Sequence, residues 1–212
     1  HMIMEFGTRG IAKMIEAADV DFVIYDMEHS GLEIERLFDL MAWSKASPFA
    51  PFVRVPQGDY HFLARTMDAG ALGVMVGNVE TPEQAQRIVA SVKYAPAGKR
   101  GVGLGTAHND YVVPSPVEYL REANDSGVVI CQIESPTGVA NAEAIAAVIH
   151  GDTGLPDEQS RLLSVSLVGM AQVSARFWLD TEGEIPKRDA AGLVSALAWR
   201  GIRGFPRTDD PS

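Results

Sequence analysis

The chain has 212 residues, 46% of them hydrophobic and 22% charged, proportions that exclude a disordered polymer and fit a soluble globular chain. Asp and Glu outnumber Lys and Arg 28 to 18, and the formal charge of −10 argues against a protein that tracks nucleic-acid phosphates. No apolar run approaches the roughly 20 residues that cross a bilayer, no signal-peptide pattern opens the chain, and the lone Cys131 excludes an internal disulfide framework; a cytoplasmic, non-membrane protein is expected. With His1-Met2 set aside as an expression-tag scar, residues 3–212 read as one domain, at roughly 100–200 residues per domain.

Val20 to Tyr25 is expected to be a buried strand, being short, β-branched and closed by a charged cluster. A helix over Leu32–Lys45 follows, with Leu37, Leu40, Met41 and Ser44 at helical spacing. Phe49–Val55 is strand-like, Tyr60–Ala69 is helical and stops at Gly70, and Ala71–Val76 is a third buried strand. Thr81-Pro82-Glu83-Gln84 starts a helix running to Tyr94, with Thr as N-cap, Pro at N1 and Gln at N3. Ala95–Ser115, rich in Gly and Pro, breaks the rhythm, and a connection of that length inside a compact domain is usually functional. Next come a helix over Pro116–Asn124, a strand over Val128–Ile133, a helix over Val139–Val148, a polar stretch over Ile149–Arg161 and a strand over Leu162–Val168. Arg188–Trp199 reads as the last helix and Ile202–Phe205 as a short strand.

Six to seven strand–helix units with continuously apolar strands predict a parallel sheet covered by helices. No G-x-G-x-x-G follows a strand, so a dinucleotide crevice has no support. Polar clusters sit instead at strand C-terminal ends: Asp26-Met-Glu28-His29, Arg54, Gln132-Ile-Glu134 and Met170-Ala-Gln172. A (β/α)8 barrel gathers such ends on one face and is the expected fold; the number of units leaves its closure at the C-terminal end open.

His29 beside carboxylates suits acid–base chemistry near neutral pH, although acids at a helix entry are also favoured by the helix dipole. Arg54, ending an apolar strand, can grip a carboxylate through its planar fork or form a structural ion pair with Asp26 or Glu134. Glu134 ends an apolar strand, where a carboxylate is costly unless it meets a cation or solvent, and hard divalent ions prefer such ligands. No His or Cys spacing of a metal site is present. Gly98-Lys-Arg-Gly-Val-Gly103 lacks Walker spacing, so its glycines point to a tight turn or a close backbone approach, and His61 and His150 read as surface residues.

Five blocks, Tyr25-Asp-Met-Glu-His29, Phe52-Val-Arg-Val-Pro56, Tyr94-Ala-Pro-Ala-Gly-Lys-Arg-Gly-Val-Gly103, Ala123-Asn-Asp125 and Gln132-Ile-Glu134, follow one another in an order and spacing that resembles the HpcH/HpaI class II aldolases (4-hydroxy-2-oxoheptanedioate aldolase-like) from about Phe6 to Val148. The resemblance implies a barrel of the phosphoenolpyruvate/pyruvate-binding type. It implies a divalent metal (Mg2+, Mn2+ or Co2+) that binds pyruvate as its enolate, and cleavage of 4-hydroxy-2-oxoacids to pyruvate and an aldehyde, or the reverse addition. It also implies a homo-oligomer. Glu134 would be a metal ligand, and Arg54 would hold the pyruvate carboxylate and stabilise the enolate. His29, paired with Asp26, would serve acid–base chemistry, Gln132 would contact pyruvate, and the backbone at Ala171 would meet its carboxylate.

The chain departs from that pattern at Gln172, which stands where the family has a second metal ligand, an Asp. A neutral amide is a poorer partner for a hard dication. The stretch 149–161 is also longer and more polar than the family connection. A barrel that has lost catalysis and serves as a binding or assembly subunit is the alternative expectation.

Overall fold

The computed structural model describes residues 2–3, 5, 7–113, 115–149, 173–174, 176–179, 185–186, 188–190 and 192–194. Two compact units divide the chain, residues 1–141 and 142–212.

The first unit is built on parallel strands β1 (Met2–Ile3), β2 (Phe22–Asp26), β3 (Ala50–Val55), β4 (Gly73–Val76) and β5 (Val128–Cys131). They lie in the sheet in the order β1-β2-β3-β4-β5, every pair parallel. Sequential order without reversal decides the architecture. Right-handed crossovers then place every connecting helix on the same face, which is the winding of a barrel and not of a doubly wound sheet. The expected class, α/β with a barrel-type parallel sheet, is the one observed.

The helices are α1 (Ile11–Ala17), α2 (Ile34–Ser44), α3 (Tyr60–Ala69), α4 (Pro82–Val92), α5 (Pro116–Ser126) and α6 (Pro136–Ala140), with a 3-10 turn at Ala107–Asn109. Apolar positions at helical spacing bury Leu37, Leu40 and Met41 of α2, Leu63 and Met67 of α3, and Ala85, Ile88 and Val92 of α4. Val23, Tyr25, Val53, Val55 and Val74 are fully buried in the sheet, as strands covered on both faces require. The Tyr25 hydroxyl lies 2.9 Å from Ser44 Oγ, which itself donates to the Leu40 carbonyl, so the phenol is the donor of the first bond.

Helix α3 ends where expected, at Gly70 with φ +106°, and α4 opens on the complete capping box of Thr81 and Gln84. Other boundaries moved. The strand expected over Val128–Ile133 stops at Cys131, and the helix expected over Val139–Val148 begins at Pro136, where Ser135 Oγ accepts from the Gly138 N–H. That helix breaks at Asn141, whose side chain donates to the Glu80 carbonyl at 2.9 Å. Its continuation, α7 (Ala142–Ile149), belongs to the second unit. Elements β1 and α1 had no counterpart in the sequence reading, and Met2, set aside there, pairs with Ile24.

In the second unit the Trp178 indole N–H donates to the Ile185 carbonyl at 2.6 Å. The stretch after Ile149, the strand expected over Leu162–Val168, Ala171, Gln172, and the strand expected over Ile202–Phe205 lie outside the described residues.

Candidate active site

The register of β2 against β3 sets Asp26 directly beside Arg54 at the C-terminal ends of both strands. Arg54 Nε donates to Asp26 Oδ1 at 2.8 Å and Nη2 to Oδ2 at 2.6 Å, a two-pronged ion pair. Asp26 is fully buried, and it also accepts from the backbone N–H groups of Glu28 (3.0 Å) and His29 (3.4 Å). Burial pushes the Asp26 carboxyl up, but the Arg54 hydrogen bonds and those two N–H donors outweigh it and hold the group below its ordinary range. The same bonds raise Arg54.

The expected pairing of Asp26 with His29 is made here through the His29 backbone N–H. The imidazole stands beside Glu28. Its Nε2 lies 3.7 Å from Glu28 Oε2, and its side chain is 62% exposed. A Ser30 Oγ donates to the Asp26 carbonyl and accepts from the Leu32 N–H at 3.1 Å, closing the turn that carries Glu28 and His29 out of the sheet. Glu28, His29, Ser30, Gly31 and Glu5 line an open cleft of about 570 Å³.

The second group comes from β4 and β5. Glu134 Oε1 accepts from the Asn78 N–H at 2.8 Å, and its Oε2 accepts from Gln132 Nε2 at 2.8 Å. Gln132 Oε1 is buried and has no hydrogen-bond partner. Gly77, one residue past β4, joins this group to the first. A Cβ at that position would lie 3.1 Å from Glu134 Oε1 and 3.1 Å from Glu28 Oε1, so the two carboxylates converge on one point and stand within twice that distance of each other. Any side chain at 77 would fill the gap between them.

The structure therefore brings Asp26, Glu28, His29, Arg54, Gln132 and Glu134 to neighbouring strand ends. Three carboxylates here face one guanidinium, an excess of negative charge that suits a cation. Glu134, with lone pairs left on both oxygens, and the unpartnered Gln132 carbonyl offer hard oxygen donors, the kind that Mg2+, Mn2+ or Co2+ would take. Among the described residues no group of three or more His, Cys, Asp or Glu side chains surrounds one point closely enough to form a full ligand shell. Oxygen donors of this type leave most positions of such an ion to water and substrate.

Residues 7–154 match the family model for the HpcH/HpaI aldolase/citrate lyase domain. The chain belongs to the HpcH/HpaI aldolase/citrate lyase family. It is 37% identical over 139 residues to a hydroxypyruvate/pyruvate aldolase of Deinococcus radiodurans, a stretch that makes up 65% of this chain and 49% of that protein. It is 35% identical over 135 residues to a 5-keto-4-deoxy-D-glucarate aldolase of Salmonella paratyphi A, 64% of this chain and 52% of the relative. The match thus spans about half the length of these curated relatives. Among solved structures, an HpcH/HpaI aldolase from Desulfitobacterium hafniense superposes with a TM-score of 0.68 at 23% identity, covering 99% of this chain and 93% of that one, which supports the fold.

Within this HpcH/HpaI chain, two of the blocks that carry the resemblance do structural work. Asn124 accepts from the Tyr94 N–H at 2.7 Å and donates to the Tyr94 carbonyl at 3.1 Å, so a side-chain amide pairs with backbone as a strand would. Gly98 lets the following turn fold back, because a Cβ there would lie 2.1 Å from the Lys93 carbonyl oxygen. The turn closes through Lys99 N–H to Ala90 O at 2.6 Å and Arg100 N–H to Lys93 O at 2.9 Å. It is a tight turn and not a phosphate loop. Arg100 then packs over the Tyr94 ring at 4.5 Å and donates to Asp68 at 2.5 Å, on the outer side of α3.

His61 is exposed and lies against Phe62, as read from the sequence. Burial pushes the Cys131 thiol up to about 11. Sequence reasoning missed Gly77 and Asn78, although a Gly-Asn pair directly after a buried strand, with Asn78 at φ +52°, is a signal for a specialised turn. It named Glu28 but gave it no partner. Among the described residues no helix is long and apolar enough to cross a membrane.

Proposed function

We propose that this chain is a divalent-metal-dependent aldolase that cleaves 4-hydroxy-2-oxoacids to pyruvate and an aldehyde, or runs the addition in reverse. The observation that carries the reading is the gathering of Arg54, His29, Gln132 and Glu134 at adjacent strand ends, in a chain of a family whose curated relatives bear aldolase names.

Bound Mg2+, Mn2+ or Co2+, held by Glu134 with Gln172 at the position of the second family ligand, would supply Lewis acidity at the C2 carbonyl. Arg54 has five N–H donors, of which the Asp26 pair uses two. Its remaining donors bind the substrate carboxylate and oppose the negative charge that grows on the C2 oxygen. Asp26 aims that guanidinium. Gln132 orients the oxoacid.

His29 takes the C4 hydroxyl proton. The C4 oxygen then forms the aldehyde carbonyl, the C3–C4 bond breaks, and its electron pair passes to C2–C3 to give the pyruvate enolate. A proton returned to C3 completes pyruvate. The small oxoacid and aldehyde are the partners of the reaction, the protein acts as a homo-oligomer in the cytoplasm, and neither nucleic acid nor membrane takes part.

Pyruvate release from a panel of short 4-hydroxy-2-oxoacids, with Mn2+ and with a chelator, tests the reading. Turnover that depends on added metal is expected. Absence of any metal-dependent release across the panel would sink it. Gln172→Asp is expected to tighten Mn2+ binding, read by the electron-spin signal of free Mn2+; unchanged binding would remove residue 172 from the ligand set.

A further inference from the structure

We propose that the cleft beside His29 takes the aldehyde half of the substrate as an uncharged hydroxyaldehyde, and that Glu5 turns away a half that ends in a carboxylate. The identity of the ligand rests on the aldolase reading; the charge of the cleft does not.

Strand order lays out the substrate. Ile3 of β1 pairs with Tyr25 of β2, so Glu5, two residues past β1, stands beside the turn after β2 that carries Glu28 and His29. On the other side of β2 lie β3, β4 and β5, which lead to Arg54, Gly77 and Glu134. In the aldolase reading the oxoacid carboxylate is at Arg54 and the C2 oxygen is near Glu134. His29 takes the C4 hydroxyl proton, so C4 is at the end of β2 and the atoms beyond it run toward β1. The cleft fits that course. Among the described residues it is lined by Glu5, Glu28, His29, Ser30 and Gly31, and Glu28 also faces Glu134 across Gly77. The lining holds two carboxylates and neither Lys nor Arg. Arg54 Nε, 3.3 Å from Glu28 Oε2, answers part of the Glu28 charge, whereas Glu5 is exposed to the opening. Ser30 Oγ is already spent on the Asp26 carbonyl and the Leu32 N–H. Carboxylates accept hydrogen bonds and donate none, so this lining suits hydroxyl groups and repels another carboxylate. At about 4 Å in a water-filled opening, one such repulsion is worth roughly fivefold in binding.

The test uses two six-carbon 4,5-dihydroxy-2-oxoacids of one configuration that differ only at C6, CH2OH in one and carboxylate in the other. With Mn2+ present, kcat/KM for pyruvate release is expected to favour the CH2OH substrate by about fivefold or more. Glu5→Gln should shrink that ratio by about fivefold and Glu5→Lys should shrink it further, while added salt should narrow the wild-type preference. A wild-type preference for the carboxylate substrate, or a ratio that both Glu5 variants leave within about twofold of wild type, would overturn the proposal. Calorimetric affinities of the same two compounds for the Mn2+-loaded full chain separate this result from the aldolase reading. Tighter binding of the CH2OH compound, lost in Glu5→Lys, with no pyruvate released would sink the aldolase reading alone. Equal affinities would overturn the charge selection alone if pyruvate is released. Binding of neither compound would overturn both.

Discussion

Arg54 and Arg100, the two arginines buried among the described residues, each pair with an aspartate, yet their surroundings put them to opposite uses. Arg54 meets a fully buried partner through two parallel bonds, at strand ends. Arg100 makes one bond to an Asp68 that is 36% exposed and spends its flat face on Tyr94. The first arrangement aims a guanidinium and leaves donors for a ligand. The second closes a guanidinium against an aromatic ring and pins the connection after α4 onto α3. A buried arginine is therefore not a site by itself; what decides is where its unused N–H groups point.

The comparison breaks most visibly at Arg54. Arg54→Met leaves Asp26 buried without its cation, and stability should fall by about 3–5 kcal/mol in urea unfolding. Turnover of the protein still folded should drop by about 100-fold or more, as when a charge-stabilising donor is removed. Arg100→Met should cost less, about 1–2 kcal/mol, because it removes a stacked cation and a half-exposed ion pair. Its turnover should stay within about threefold, with faster amide exchange confined to residues 95–113. Equal loss of turnover in both variants would erase the distinction.

Acid sharpens the contrast with a smaller effect. Asp26 is held below the ordinary aspartate value, so its contribution is complete above about pH 4 and is lost as pH falls through the lower folded value. Arg54→Met should flatten that part of the stability profile. His108, near Arg100, is lowered first by burial and then by the guanidinium. Its folded state resists the proton, so stability present above about pH 6.5 is lost as pH falls toward the lowered value. His108→Gln should flatten the profile just below about pH 6.5, measured by urea midpoints, and leave the more acidic limb in place.

Legibility in the sequence followed the range of the interaction. The stop of α3 at Gly70 and the start of α4 at Thr81 depend on side chains and backbone a few residues apart, and both were read correctly. The helix break at Asn141 depends on the carbonyl of Glu80, sixty-one positions earlier, and was not. The two-residue β1 is too short to carry a period. At the site, residue types, strand ends and the Arg54–Asp26 ion pair were legible, the last as one of two partners named for Arg54. The choice of Asp26 over Glu134 was set by the parallel register, which places Arg54 beside Asp26. Convergence of Glu28 and Glu134 over Gly77 needs β4 between their strands, which no spacing within one segment encodes.

Exchange of the pyruvate methyl protons in deuterated buffer tests the central claim most directly, because it reads enolate formation without knowledge of the aldehyde. Wild-type protein with Mn2+ or Mg2+ should erase the methyl proton signal far faster than metal alone, chelator should abolish the effect, and Arg54→Met should lose about 100-fold or more. Exchange no faster than the metal-only control, or equal in wild type and Arg54→Met, would contradict the assignment of these strand ends as an aldolase site.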